Sequence, residues 1–463
     1  MRKQFLYLLP IMAITMACSS HPDEAFRSMY HHTPPAKWMN DPNGMFYQNG
    51  VWHLYYQHNP FGTTWGPMHW AHATSTDLLT WEEQSIVLYP DSLGTIFSGS
   101  AVIDTDNTAG FGKGAIIAIY TQSEVCGQNQ SIAYSLDGGY TFTPYEANPV
   151  LKGDVPDFRD PKVSRDGDHW LMTLACGQEI RFFRSADLKQ WTYLSSFGEG
   201  YGNHNGVWEC PELIKMGDRF VLLVSINPGG PFGGSATQYF VGDWDGTHFT
   251  CMDKPETQKW LDYGKDNYST FTFHNAPEHR LVAIGWMSNW QYAQQLPTKA
   301  FRSQNTIARD LSLYQDDHGD YRIASMPSKE TLSVRGRETK HLPATAVVDI
   351  EINGNQDACL TLSNDQGEKL IMTFDARQQT FSMDRTAAGD CSFSQDFAAT
   401  TTAPIFVAHE THHITLFIDR CSIEVFGTNG EWTMTNLVFP SKPYNRLDAQ
   451  GGKVTIYTCQ IND

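Results

Sequence analysis

Residues 38–44 read Trp38-Met39-Asn40-Asp41-Pro42-Asn43-Gly44, and the residues after them, MFYQNGVWHLYYQ from Met45, are a strand, an Asn49-Gly50 turn and a second strand. Asn-Gly between apolar runs is a strong hairpin signal, because the turn that matches the twist of the two strands needs positive φ at both central residues. The same design recurs twice. Arg159-Asp160-Pro161 leads into KVSRDGDHWLMTLA, and Glu209-Cys210-Pro211 leads into ELIKMGDRFVLLVS. Two more copies, SGSAVIDTDNTAGFGKGAIIAIYT from Ser98 and NYSTFTFHNAPEHRLVAIGWM from Asn267, follow the pattern without an acid at the head.

The five copies begin roughly 50 to 60 residues apart, the period of four-stranded propeller blades. A second echo runs in phase with them. Ser75-x-Asp77, Ser135-x-Asp137 and Ser185-x-Asp187 each precede an aromatic residue, with a looser copy at Asp243-Trp244-Asp245. No segment carries a long amphipathic helical period. The expected fold is therefore all-β: a five-bladed β-propeller over residues 27–330, followed by a C-terminal β-sandwich over residues 344–463, with 328–343 as a polar linker or capping excursion. In a propeller the innermost strands line one channel, so equivalent positions meet at its mouth. Asp41, Asp160 and Glu209 are expected at equivalent positions there. Proline disfavours helical geometry in the residue before it, so Asp41 and Asp160 are expected in extended backbone.

The chain has 463 residues, 41% hydrophobic and 18% charged, enough for two cores. Its net charge of -18 disfavours nucleic acid and anionic lipid and suits a neutral substrate such as carbohydrate. The aromatic content, with 13 Trp and 20 Tyr, agrees with sugar-ring packing as well as with ordinary core. At the N-terminus, Arg2 and Lys3 precede an apolar run that ends at Thr15-Met16-Ala17-Cys18. The run is too short to span a bilayer and reads as an export signal over 1–18, in which Cys18 becomes the lipidated first residue of a bacterial lipoprotein, periplasmic or cell-surface. The other cysteines are scattered, without CxxC pairs or metal-ligand spacing, so free thiols and no metal or other cofactor are expected. His31-His32 and His412-His413 are read as surface or packing residues with diverging side chains.

Two carboxyl groups around a glycosidic bond are the minimal apparatus for cleaving it. Asp41, short and on a fixed backbone, suits the nucleophile. Glu209, one methylene longer, suits the acid/base that delivers a proton and later recovers one from water. Asp160, beside Arg159, is expected to stay ionised and stabilise positive charge developing on the ring. Cys210 is read as a packed thiol shaping the site.

WMNDPNG (38–44), FSGSAV (97–102), RDPKV (159–163), WECPEL (208–213) and IDRCSIEVFG (418–427) closely resemble glycoside hydrolase family 32, the invertases, inulinases and levanases. The resemblance implies retaining hydrolysis of β-fructofuranosides without a metal, with Asp41 as nucleophile, Glu209 as acid/base and Asp160 as transition-state stabiliser. It further implies a fructose pocket built from Trp38, Asn40, Gln57, Trp65, Phe97, Ser98, Arg159 and one of Trp286 and Trp290, with Trp290 the favoured one. Ala71 stands where the family usually has glycine, and Asn267, expected near the pocket rim, where an aromatic is more usual. The expected substrates are levan, inulin or sucrose, cut from the chain end. An endo-acting levanase or inulinase, a fructosyltransferase, and a non-catalytic glycan-binding lipoprotein are the alternatives.

Overall fold

The structure is a computed structural model and describes residues 24–125 and 127–461. The expected export signal and Cys18 lie outside the described residues. Among the latter, five mainly antiparallel sheets of four or five strands follow one another from Lys37 to Pro327, and two sheets of six and five strands complete the chain. The architecture is a β-propeller followed by a β-sandwich, and the one α-helix of the described residues is the four-residue turn Lys329–Leu332.

Each propeller sheet is a meander in chain order. The first runs Lys37–Gln48, Val51–Asn59, His69–Ser75, Glu82–Glu83. The Asn49-Gly50 hairpin forms as the sequence demands, with φ of 52° and 86°. The Ser-x-Asp echoes are turns between outer strands of three sheets. In each, the serine hydroxyl donates to the aspartate, as in Ser75 to Asp77 (3.0 Å) and Ser135 to Asp137 (2.7 Å), and the carboxylate accepts backbone N–H groups one turn on. The ring closes without a free edge between its ends. Phe301–Arg302 adds as a parallel strand beside Lys37 and Trp38, and between first and fifth sheets the Tyr47 N–H donates to the His274 carbonyl and the His274 N–H to the Met45 carbonyl.

The feature that makes the site is a break in register in the leading strand of all five sheets. Pairing skips between Met39 and Pro42, Ile96 and Gly99, Arg159 and Lys162, Glu209 and Glu212, and Tyr268 and Phe271. These are β-bulges, which bend a strand and re-aim its side chains. Three contain or abut a proline, which has no N–H to give to the ladder.

The bulges correct two expectations. Asp160 is not extended: its φ is +64°, and Cys210 (+50°) and Ser269 (+51°) share that left-handed geometry. The preference imposed by Pro161 is overridden because the bulge turns the Asp160 N–H towards Thr121 Oγ1, which accepts it at 3.0 Å. Nor are the three acids at one register position. Asp41 is the second bulged residue of its strand, Asp160 the first, and Glu209 the residue just before its bulge, where the third sheet has Arg159.

The segment expected as a linker is partly structured. Arg335–Thr339 pairs with Gly452–Cys459 as an edge strand of the sandwich, whose sheet continues through Ala346–Asn353, Thr411–Asp419, Ser422–Phe426 and Thr433–Leu437. The second sheet of the sandwich packs on it through Leu360, Met372, Phe381 and Met383 against Ile350, Leu416 and Val425. Against the propeller, the sandwich is held by buried charge. Arg309 lies between Asp262 and Glu424, and Arg385 donates to Asp266 at 2.5 Å. His31 is not a surface or packing histidine: its ring bridges Asp419 (2.8 Å) and Glu424 (2.7 Å), all three side chains fully buried. Burial alone pushes His31 down, but the hydrogen bonds to Asp419 and Glu424 raise it to about 9, so it is a cation here. His32 bonds Glu83 (2.8 Å), whereas His412 is buried and His413 exposed, as divergence in a strand requires.

Candidate active site

The first four bulges and the residues beside them face one half-open pocket of about 470 Å³. Asn40, Asp41, Gln57, Trp65, Phe97, Ser98, Arg159, Asp160, Glu209 and Trp290 line it, together with Gln128, Asp157, Asn227 and Gln294. Beneath it is a ring of side chains from all five bulges. Ser98 Oγ donates to Asp41 Oδ2 (2.8 Å), Cys210 Sγ lies 3.6 Å from that oxygen and 3.5 Å from Asp160 Oδ2, and Ser269 Oγ bonds the same sulfur at 3.1 Å. The bulge at Cys210 also points its N–H at Asp160 Oδ2, 3.0 Å away.

Asp41 is held at two places and left open at a third. Trp38 Nε1 donates to Asn40 Oδ1 (2.7 Å), which fixes the Asn40 amide so that its nitrogen faces the Asp41 carboxylate. Asn43 ties the backbone, donating to the Asp41 carbonyl (3.1 Å) while accepting from the N–H of Gly99 in the next sheet (3.2 Å). Gly44 has φ +52°, and a Cβ there would sit 2.7 Å from the Tyr55 ring and 2.8 Å from Trp70, so WMNDPNG ends in glycine for want of space. Asp41 Oδ1 is buried without a hydrogen-bond partner among the described residues. An anchored carboxylate with one uncommitted oxygen is the geometry of a nucleophile.

Burial raises the Asp41 carboxyl to about 6, opposed by the Ser98 hydrogen bond and reinforced by the Glu209 charge. Burial also raises Asp160, to about 7, against the pull of Arg159 and with the push of Glu209 and Asp41. Burial thus opposes the ionised form expected of Asp160 beside Arg159. Its separation from the Arg159 guanidinium is 4.0 Å, too long for a direct hydrogen bond. Arg159 is instead given to Glu209, whose Oε1 accepts from Nε (3.1 Å) and Nη2 (2.9 Å), and to Asp157 (2.5 Å). The other oxygen of Glu209 accepts from the buried hydroxyl of Tyr268. Burial, then the charges of Asp160, Asp41 and Glu209, push the Cys210 thiol well up, so it stays protonated.

Trp38, expected in the fructose pocket, and Trp286, the less favoured of the tryptophan pair, lie behind the pocket. Both are fully buried, and they support Trp290 with ring centroids 5.8 and 4.9 Å from its own. Asn267 is buried, accepts from Thr270 Oγ1 (3.0 Å) and does not line the pocket; its neighbour Tyr268 carries the contact to Glu209. Ala71, on the third strand of the first sheet, packs in the core. Sequence reasoning missed Tyr268, Asp157, Gln128, Asn227 and Gln294. Only Tyr268 left a trace, being an aromatic at the head of the fifth repeat.

Comparison with known proteins agrees with this arrangement. The sequence profile of the glycosyl hydrolases family 32 N-terminal domain matches residues 31–327, and that of the glycosyl hydrolases family 32 C terminal matches 315–463. The chain is 41% identical over 495 residues to a levanase of Bacillus subtilis (strain 168), covering 99% of this chain and 73% of that one. The crystal structure of exo-inulinase from Aspergillus awamori superposes with a TM-score of 0.87 at 33% identity, over 94% of this chain and 98% of that one. A fructofuranosidase from Schwanniomyces occidentalis complexed with fructose gives 0.85 at 32% identity, over 95% and 99%.

Proposed function

The chain belongs to glycosyl hydrolases family 32, and from that premise we propose that it is an exported β-fructofuranosidase releasing fructose from the ends of levan, inulin or sucrose. The observation that carries the reading is the convergence of Asp41, Asp160 and Glu209 on one pocket, with an uncommitted oxygen on Asp41. Asp41 attacks the anomeric carbon of the terminal fructosyl unit. Glu209 protonates the departing oxygen, and Asp160 supports charge on the ring. Water, deprotonated by Glu209, then releases fructose from Asp41 with net retention. Arg159 and Tyr268 hold one oxygen each of Glu209, which sets the direction of its proton transfer.

A pocket rather than an open cleft favours end-cutting, and the names of the relatives, levanase and exo-inulinase, support both the bond type and the end-on mode. The extracellular exo-inulinase among them supports export. Cys18 as a lipid anchor, residues 27–330 as the catalytic propeller and 344–463 as the sandwich belong to the same proposal. Early products from levan, inulin and sucrose, separated by thin-layer chromatography, test it. Free fructose from the first time point is the expected result; oligosaccharides first would make the enzyme endo-acting, and growth of fructosyl chains at high sucrose would make it a transferase.

A further inference from the structure

On the far side of loop 152–157 from the catalytic pocket lies a second half-open cavity, of about 420 Å³. The loop is a shared wall. On the pocket side Asp157 accepts from Arg159 (2.5 Å); on the other side Asp154 accepts from Arg181 (2.8 Å). The floor of the second cavity is aromatic: Phe158, the residue before Arg159, meets Phe183 at 6.2 Å between ring centroids, and Phe183 meets Tyr193 at 5.7 Å. Tyr193 stands on the outer strand Thr192–Phe197 with 53% of its surface exposed, so its ring continues the aromatic floor out to solvent. Arg181 is fixed between Asp154 and Glu179 (2.7 Å), so its charge is balanced. A bare anion finds no excess positive charge there. A neutral polyol finds an aromatic face for its C–H groups and fixed donors and acceptors for its hydroxyls.

We propose that this groove is a second carbohydrate site, holding a β-linked fructan chain away from the bond being cut, a proposal that rests on the β-fructofuranosidase reading. Loop 152–157 supplies a residue to each cavity, Asp157 to the catalytic pocket and Asp154 to the groove that Tyr193 lines. The test compares wild type, Tyr193→Ala and Tyr193→Phe on levan, inulin and sucrose. Tyr193→Ala should lower kcat/KM on one or both polymers roughly fivefold while leaving sucrose hydrolysis unchanged, and Tyr193→Phe should keep most of the polymer activity. Mobility in gels containing levan or inulin, measured in an Asp41→Asn background that spares the polymer, should show weaker retardation with Tyr193→Ala. Equal loss on sucrose and polymer, or no change in kcat/KM and retardation on both polymers, overturns the second site. Failure of the parent enzyme to release fructose from any of the three substrates overturns the functional reading itself, a separate outcome.

Discussion

Replacing Ser98 by alanine isolates how the nucleophile is kept ionised. Burial is the largest influence on Asp41 and lifts it to about 6, and the Ser98 hydroxyl, 2.8 Å from Oδ2, is the largest influence holding it down. A hydrogen bond to a charged acceptor contributes about 1.5–3 kcal/mol, and one pH unit corresponds to about 1.36 kcal/mol, so its loss moves the titration up by roughly 1 to 2 units. Asp160 titrates near 7 in the same cluster, so the acid limb of kcat/KM reports the pair through an apparent midpoint. Initial rates on dilute sucrose across about pH 4 to about pH 9 would be compared for wild type, Ser98→Ala and Ser98→Thr. The alanine variant should lose activity at acidic pH and recover a large part of it at alkaline pH. Threonine, which keeps the hydroxyl, should leave the limb in place. An unmoved acid limb with a uniformly lowered plateau in Ser98→Ala would refute the reasoning, because Ser98 would then shape the pocket without tuning Asp41.

Asp41→Asn should abolish turnover and also raise stability above about pH 6. The folded-state value of Asp41, about 6, exceeds that of an ordinary carboxyl, so the folded protein binds the extra proton and gains stability as pH falls through that window; above it the buried charge costs about 3 kcal/mol. Thermal melting at pH 8 should therefore favour the variant, with the gap closing towards pH 4. Arg159→Lys breaks the two-pronged hold on Glu209 Oε1 and should lower kcat/KM on sucrose about 100-fold, with the melting temperature little changed. His31 carries the opposite pH signature. Its folded value, raised to about 9 by Asp419 and Glu424, gives stability that is complete below about pH 6.5 and lost as pH rises through about 9, so melting should fall over that range in wild type and stay flat in His31→Gln.

The fold was legible because hairpin chemistry is local. Asn49-Gly50 and the Ser-x-Asp turns dictate their own geometry, and repetition of such units leaves a propeller as the closed solution. The convergence of the three acids was legible from the repeated hairpins they head. What the repeats could not reveal is which residue of each bulge faces the axis, since a bulge shifts register by one and the choice depends on contacts from the neighbouring sheet. Asp160 adopts positive φ because Thr121, 39 residues earlier in the chain, accepts its N–H, a fact that no local preference contains. The roles of Tyr268 and Asp157 were hidden for a related reason. Each acts by touching an acid or an arginine presented by its surroundings, so its role exists only in three dimensions. The polar strand at Arg335–Thr339 looked like a linker because an edge strand with both faces half wet loses the alternation that marks a buried one. His31 was misread because its partners, Asp419 and Glu424, come from the other end of the chain.

The central claim is that Asp41 forms a bond to the fructosyl unit and Glu209 completes its hydrolysis. In Glu209→Ala, an activated aryl β-fructofuranoside needs no acid to lose its leaving group, yet the second step lacks its base, so the intermediate should accumulate. Rapid quenching, proteolysis and mass spectrometry should then find one fructosyl unit on the peptide that contains Asp41, and added azide should discharge it. A fructosyl unit on any other residue, or aryl release with no adduct and inverted configuration at the anomeric carbon, would contradict the account.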